Sequence, residues 1–395
     1  MLMQNTQLPA HVPSTLRVLL ALPGMHRVVR GAEVALEELA RHLAAIKGFD
    51  VTVIGSGAAR AGEPYRYRRA RCIPREYFEK FPSFPYLRDY YNYEELSFAP
   101  SLFWKYSPSH YDVTVTCGYP YTNWMLRRGR HGRRPKHVYV TQNGDWMCHA
   151  KNWEYRHFSC DGLVCTNPEY YERLKDHWPS ALIPNGVNPQ VFHPGTGDRF
   201  EFDLPLYKPI ALMVSALIPS KRVLDGIRAV SRLPDLFLVI AGDGEQRKEV
   251  IELAEHLLPG RFKLMQLGRE QMPSLYQSAD IFLHMSQDEP SANAYIEALA
   301  CGLPIVTHDR DVTRWTLEDS AELVNTSSTD DVVRGLREAI HRRTKADVNQ
   351  RRSIVLRRYS WSRIAQQYAT FFRTIAGRSV RAEQAVRSDA MEGIS

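Results

Sequence analysis

The sequence predicts an α/β protein made of two doubly wound parallel-sheet domains. Three observations predict it. The chain has 395 residues, more than one typical core accommodates. Short apolar runs that read as buried strands alternate with amphipathic stretches of roughly ten residues or more. A polar stretch bearing Gly and Pro, Gly195 to Lys208, divides these runs into two series and reads as a hinge.

Taken in order, Leu16 to Leu22 is the first apolar strand, Glu33 to Ile46 an amphipathic helix with Val34, Leu36, Leu39, Leu43 and Ile46 on one side, and Phe49 to Ile54 the second strand. Strand, helix and strand in this order make a parallel, Rossmann-like unit. Gly55-Ser56-Gly57 follows the second strand rather than the first and lacks a third glycine, so it matches a dinucleotide fingerprint poorly. Tyr65 to Tyr111 is aromatic and polar without a clean period, and is expected to form short helices and loops. Its rings suit either the packing of an insertion or an acceptor site, since aromatic faces stack on sugars and cover lipid tails. Tyr111 to Thr116, His137 to Thr141 and Gly162 to Thr166 are further strands. In the second series the strands are Pro209 to Ser215, Leu236 to Ala241, Phe262 to Gly268, Asp280 to Met285 and Ile305 to Thr307, with a helix from Val223 to Leu233. A last helix runs from Tyr359 to Phe372. The expected domains are 1–190 and 207–358, with a helix at 359–376 and a polar, disordered tail at 377–395.

Composition narrows the function classes. The net charge is +7, and all of the excess lies before Val191: residues 1–190 hold 24 Lys and Arg against 17 Asp and Glu, and the remainder holds 27 of each. The densest basic piece is Arg127 to Lys136. It suits a solvated loop, or a face toward an anionic membrane surface or a phosphate-bearing acceptor. No recognised nucleic-acid motif accompanies it, so nucleic acid is not expected as a partner. No apolar run is long enough to span a bilayer, and residues 1–14 lack an apolar signal core, which points to a cytoplasmic protein, peripheral at most on the inner face of the membrane. The six cysteines, Cys72, Cys117, Cys148, Cys160, Cys165 and Cys301, have no CxxC or Cys/His metal spacing and read as reduced thiols; no metal site is expected.

The chemistry concentrates in Glu289 to Val306, EPSANAYIEALACGLPIV. A turn at Ser291-Ala292-Asn293-Ala294 leads into an apolar helix that holds Glu297 and is stopped by Gly302 and Pro304. The free N–H groups of such a helix start form an anion site, and a carboxylate beside it suits a ligand carrying both hydroxyls and phosphate. Glu297 is placed to accept hydrogen bonds from a diol such as a ribose.

Glu289-x7-Glu297 followed by Ala298-Leu299-Ala300-Cys301-Gly302-Leu303-Pro304 resembles the signature of the retaining glycosyltransferases of family 4, glycosyltransferase group 1, with the GT-B fold. The resemblance extends over Arg30-Gly31-Ala32-Glu33, Pro184-Asn185-Gly186-Val187-Asn188 and Gly242-Asp243-Gly244. It implies two Rossmann-like domains facing across a cleft, with the donor, a UDP- or GDP-linked hexose-type sugar, on the second domain and a hydroxyl acceptor on the first. It implies that Glu289 contacts the transferred sugar, that Glu297 holds the ribose, and that Lys221, aided by Arg222, neutralises the diphosphate leaving group. Gly31, Gly242, Gly244, Ser291, Ala292 and Asn293 would line the donor, and Asn143 and Asp145 the sugar or acceptor. No cofactor and no metal is implied, since Lys221 and the helix dipoles supply the positive charge and no Asp-x-Asp is present. The chain departs from the pattern at five places: Arg30 replaces a Gly, Ala216 replaces the Arg of the first loop, Gln142 and Asn143 stand where many members carry a His, Asn188 replaces an Asp, and Ser291-Ala292 replace Phe-Gly. These departures leave open a catalytically inactive nucleotide-sugar-binding protein on the same scaffold; a nicotinamide oxidoreductase is a third reading.

Overall fold

The computed structural model describes residues 15–129, 134–150, 152–289 and 293–377. The expected disordered tail therefore lies, from residue 378 onward, outside the described residues, as do 130–133 of the basic piece. Among the described residues, 15–163 with 365–377 gather into one compact unit and 164–364 into another.

Two parallel sheets form the framework, most of their strands being the apolar runs read above. The first contains β1 (Leu16–Ala21), β2 (Phe49–Gly55), β3 (Arg66–Arg69), β4 (Val113–Thr116), β5 (Lys136–Val140), β6 (Gly162–Cys165) and β7 (Ser180–Leu182), in the spatial order β3-β2-β1-β4-β5-β6-β7. The second contains β8 (Ile210–Val214), β9 (Phe237–Ala241), β10 (Phe262–Met265), β11 (Ile281–Leu283), β12 (Ile305–His308) and β13 (Ala321–Val324), in the order β10-β9-β8-β11-β12-β13. The central strands are buried on both faces, which is why they read as continuous apolar runs: Leu19, Leu20 and Ala21 in β1 and Ala211 and Leu212 in β8 have no exposed surface. Each order reverses beside its first strand. β1 pairs in parallel with both β2 and β4, and β8 with both β9 and β11. Such a reversal splays the loops leaving the two central strands and opens a crevice at their carboxyl ends. Both sheets thus match the doubly wound, Rossmann-like architecture read from the sequence.

The region Tyr65 to Tyr111 corrects an expectation. It holds the edge strand β3 and a 16-residue helix, Tyr90–Lys105, rather than only short helices and loops. β3 carries exposed arginines at 66, 68 and 69, the charged character that protects a sheet edge, and so lacks the apolar alternation that marks a strand. The helix buries Glu94 and Glu95 fully beside Phe98, Ala99 and Leu102, so two of its five buried residues are acidic and it shows no apolar period. Glu94 is held by Arg27 and by Arg30 Nη1 at 3.2 Å, and it accepts from the Arg75 amide at 3.3 Å. Arg30, in the place of a family glycine, has extended backbone (φ −119°, ψ 159°) and reaches Glu76 at 3.1 Å as well. A glycine is unnecessary there, because the side chain turns back into this ion-pair network.

Glu95 accepts from the Tyr121 amide at 3.2 Å, and burial pushes its carboxyl up to about 8. A folded-state pKa above the ordinary 4.5 means the native state holds the proton more tightly. The stability this contributes is complete below the unfolded pKa and is lost as pH rises through about 8. Glu95→Gln removes the titration but keeps the shape. Its stability relative to the parent, from urea unfolding, should rise by about 2–4 kcal/mol between about pH 5 and pH 9. A pH-independent difference would show that the native carboxyl titrates normally.

Candidate functional site

The site is assembled where β8 and β11 end. Beyond β8 the chain makes a loop and one tight turn, Pro219–Lys221, and then the helix Val223–Ser231. Beyond β11 it runs through His284 to Glu289. Ser286 Oγ donates to the Ser220 carbonyl at 3.1 Å and ties the two loops together. Lys221 and Glu289, 68 positions apart, thereby meet as an ion pair with the carboxylate 7% exposed.

Arg222 adopts the left-handed conformation (φ 52°) at the start of its helix. Its Nε donates to Asp225 at 2.8 Å, while its Nη1 is buried without a hydrogen-bond partner among the described residues. A buried, unsatisfied guanidinium N–H is a donor awaiting an acceptor. Ala216, where the family pattern has Arg, lies exposed on the same loop.

Behind Glu289 lies a buried polar chain that the sequence did not disclose. His284 Nδ1 is 2.9 Å from Tyr295 Oη, which is 2.7 Å from Thr307 Oγ1. His284 Nε2 stands 3.7 Å from Glu289. Burial lowers the His284 imidazole to about 4, against the opposing pull of Glu289, so the ring is neutral at neutral pH. Tyr295 donating to Nδ1, and Nε2–H facing the carboxylate, is the tautomer that this chain of contacts favours. The apolar runs Asp280 to Met285, Tyr295 to Ala300 and Ile305 to Thr307 showed these residues as interior positions only, since a buried His or Tyr has no local signature.

Glu297, 5% exposed in the helix Asn293–Ala300, has two partners. Arg269 forms an ion pair with Oε1, and Tyr276 Oη donates to Oε2 at 3.0 Å. The Arg269 guanidinium also lies 4.8 Å from the centre of the Phe192 ring. Asn293, at the helix start, accepts from Asn185 Nδ2 at 2.8 Å. Ser291 and Ala292 lie outside the described residues.

Gly242 and Gly244 follow β9 and pack against the loop after β8. A Cβ on Gly242 would stand 1.9 Å from the Ser215 carbonyl oxygen, and one on Gly244 2.5 Å from that of Leu217. Close backbone approach therefore demands both glycines irrespective of any ligand. Gly31, Asn143 and Asp145 belong to the first unit. Gly31 opens the helix Gly31–Ala44. Asn143 Nδ2 donates to Tyr91 Oη at 3.3 Å and to the Cys117 carbonyl at 3.4 Å, and buried Asp145 lies 3.4 Å from His149 Nε2. No group of three or more His, Cys, Asp and Glu side chains able to hold a metal occurs among the described residues.

Residues 196–354 match the family model for glycosyl transferases group 1, and residues 29–191 match that for Glycosyltransferase Family 4. The chain is 30% identical over 168 residues to the lipopolysaccharide core biosynthesis glycosyltransferase LpsE of Rhizobium meliloti, covering 40% of this chain and 47% of that protein. The match thus spans about half the length of that curated relative. Sucrose-phosphate synthase from Thermosynechococcus elongatus superposes with a TM-score of 0.74 at 18% identity, over 92% of this chain and 100% of that one. HepE of Anabaena in complex with UDP-glucose gives 0.68 at 16% identity, over 90% and 98%. These structures share the GT-B fold, two Rossmann-like domains, and with it the fold class expected from the sequence.

Proposed function

Because this chain belongs to the group 1 glycosyltransferases of family 4, we propose that it is an enzyme that moves a hexose-type sugar from a UDP- or GDP-linked donor to a hydroxyl acceptor, with retention of configuration. The observation that carries this reading is the meeting of Lys221 and Glu289 at the ends of β8 and β11, the two central strands between which the sheet order reverses. Breaking a sugar–phosphate bond builds negative charge on the diphosphate. The Lys221 ammonium and the unsatisfied Arg222 Nη1 are donors fixed before the reaction begins, and fixed donors stabilise developing charge without reorganising. Arg222 thereby takes the part of the arginine missing at position 216. Glu289 accepts from the sugar hydroxyls and Glu297 from the ribose, and no metal is needed to balance the leaving group. Attack from the front face, with a donor phosphate oxygen taking the acceptor proton, fits the absence of a family nucleophile. Asn143 and Asp145 of the first unit contribute to the acceptor or sugar.

The acceptor belongs to glycan, glycolipid or natural-product biosynthesis. The exposed rings of Tyr77, Phe81, Phe84 and Trp104, with Arg128 seated 3.8 Å from the centre of the Phe103 ring, support contact of the basic unit with an anionic membrane surface. No helix among the described residues is long and apolar enough to cross a membrane. Equal co-sedimentation with neutral and anionic vesicles would reject the surface contact.

Thermal melting with uridine, guanosine, adenosine and thymidine diphosphates tests the donor. A ligand at 100 times its Kd stabilises by about 2.7 kcal/mol, so UDP or GDP should raise the midpoint clearly. A chain indifferent to all four, and to UDP-glucose and GDP-mannose as well, would not be a nucleotide-sugar enzyme.

A further inference from the structure

Both carboxylates of the site are held by the chain's own cations, Glu289 by Lys221 and Glu297 by Arg269. Any nucleotide that engages Lys221 must therefore compete for it with Glu289. We infer that the Lys221–Glu289 pair makes the site discriminate an intact nucleoside-diphosphate sugar from the bare nucleoside diphosphate, the class of product that transfer leaves behind. The inference rests on the donor-site reading above.

The asymmetry lies in what each carboxylate keeps. When a diphosphate draws Lys221 away, Glu289 remains almost wholly buried, and its next neighbour among the described residues is the neutral His284 ring, whose Nε2 stands 3.7 Å away, too far for a normal hydrogen bond. A buried carboxylate without a close donor, beside an incoming polyanion, is strongly disfavoured. A sugar attached to the diphosphate brings hydroxyl donors to that carboxylate, and the bare diphosphate brings none. Glu297 differs. It keeps the Tyr276 hydroxyl at 3.0 Å when Arg269 leaves, and the ribose it faces is present in both ligands. The Lys221–Glu289 pair thus distinguishes the two ligands, and the Arg269–Glu297 pair does not. Glu289 acts as a specificity determinant that holds the diphosphate-binding lysine until a sugar arrives to replace it.

Titration calorimetry of the full chain with UDP, UDP-glucose, GDP and GDP-mannose tests this. The parent should bind the sugar nucleotide of its preferred base more tightly than the matching diphosphate. Glu289→Gln, which removes the competing charge, should bind the bare diphosphate about ten-fold or more tightly than the parent does, and should lose the preference for the sugar. Glu297→Gln should change both affinities by the same factor and keep their ratio. If the glutamine variant at 289 does not fold, Glu289→Asp, one methylene shorter, loosens the same ion pair and should shift the diphosphate affinity in the same direction. A parent that binds both ligands, with diphosphate affinity unchanged or weakened in the 289 variants, overturns the inference and leaves the donor site standing. A parent that binds none of the four overturns both.

Discussion

Alanine at 221 or at 289 is expected to cut turnover by about 100- to 1000-fold, the loss typical of removing one preorganised group that faces developing charge. Turnover is read as nucleoside diphosphate released from UDP-glucose or GDP-mannose. The two variants should fail differently. Lys221→Ala removes the cation aimed at the leaving group, so the defect lies in the rate constant. It also strands Glu289, 7% exposed, without its lysine, at a cost of about 1–3 kcal/mol in stability. Glu289→Ala removes the carboxylate itself and leaves only a half-buried ammonium, which can turn to water. The lysine variant should therefore melt below the glutamate variant while both remain folded at room temperature by circular dichroism. Parent-like kinetics in both would remove Lys221 and Glu289 from the site altogether.

Gly242→Ala is expected to destabilise the second unit by about 3 kcal/mol or more. The added Cβ would stand 1.9 Å from the Ser215 carbonyl oxygen, and neither backbone can retreat cheaply. The Gly242 amide donates to the Met265 carbonyl at 2.9 Å, and the Ser215 amide donates to the Ala241 carbonyl at 3.2 Å, so both sides are pinned into the ends of the sheet. Relief would shift the loop that carries Lys221, so the stabilisation by UDP or GDP should be lost together with the urea midpoint. Gly260→Ala is the matched control. Its φ of +66° makes alanine strained, but nothing lies within 4 Å of the new methyl, so the cost should be about 1–2 kcal/mol with nucleotide binding intact. Equal costs at the two positions would mean that the close approach at Gly242 is not what fixes that residue.

Much of the site was legible because its residues sit at ends of strongly patterned elements. β8, β9 and β11 announced themselves as apolar runs, and the loops that follow them carry Lys221, Gly242, Gly244 and Glu289. The acidic face of Tyr90–Lys105 was illegible for the opposite reason. Glu94 and Glu95 are interior residues that look like surface ones, and their partners, Arg27, Arg30 and the amides of Arg75 and Tyr121, are between 19 and 67 positions away.

The sequence by itself determined the two parallel sheets, the strand ends from which the functional loops emerge, and a short roster of charged residues on them. Local periodicity carries that information, because burial on one or both faces of an element repeats every two or every 3.6 residues. Only the tertiary structure decided the pairings: Lys221 with Glu289, Arg269 and Tyr276 with Glu297, and His284 with Tyr295 and Thr307. Each of these joins residues from different elements, 11 to 68 positions apart. No periodicity within one element encodes such a meeting; it follows from the order in which the strands lie side by side.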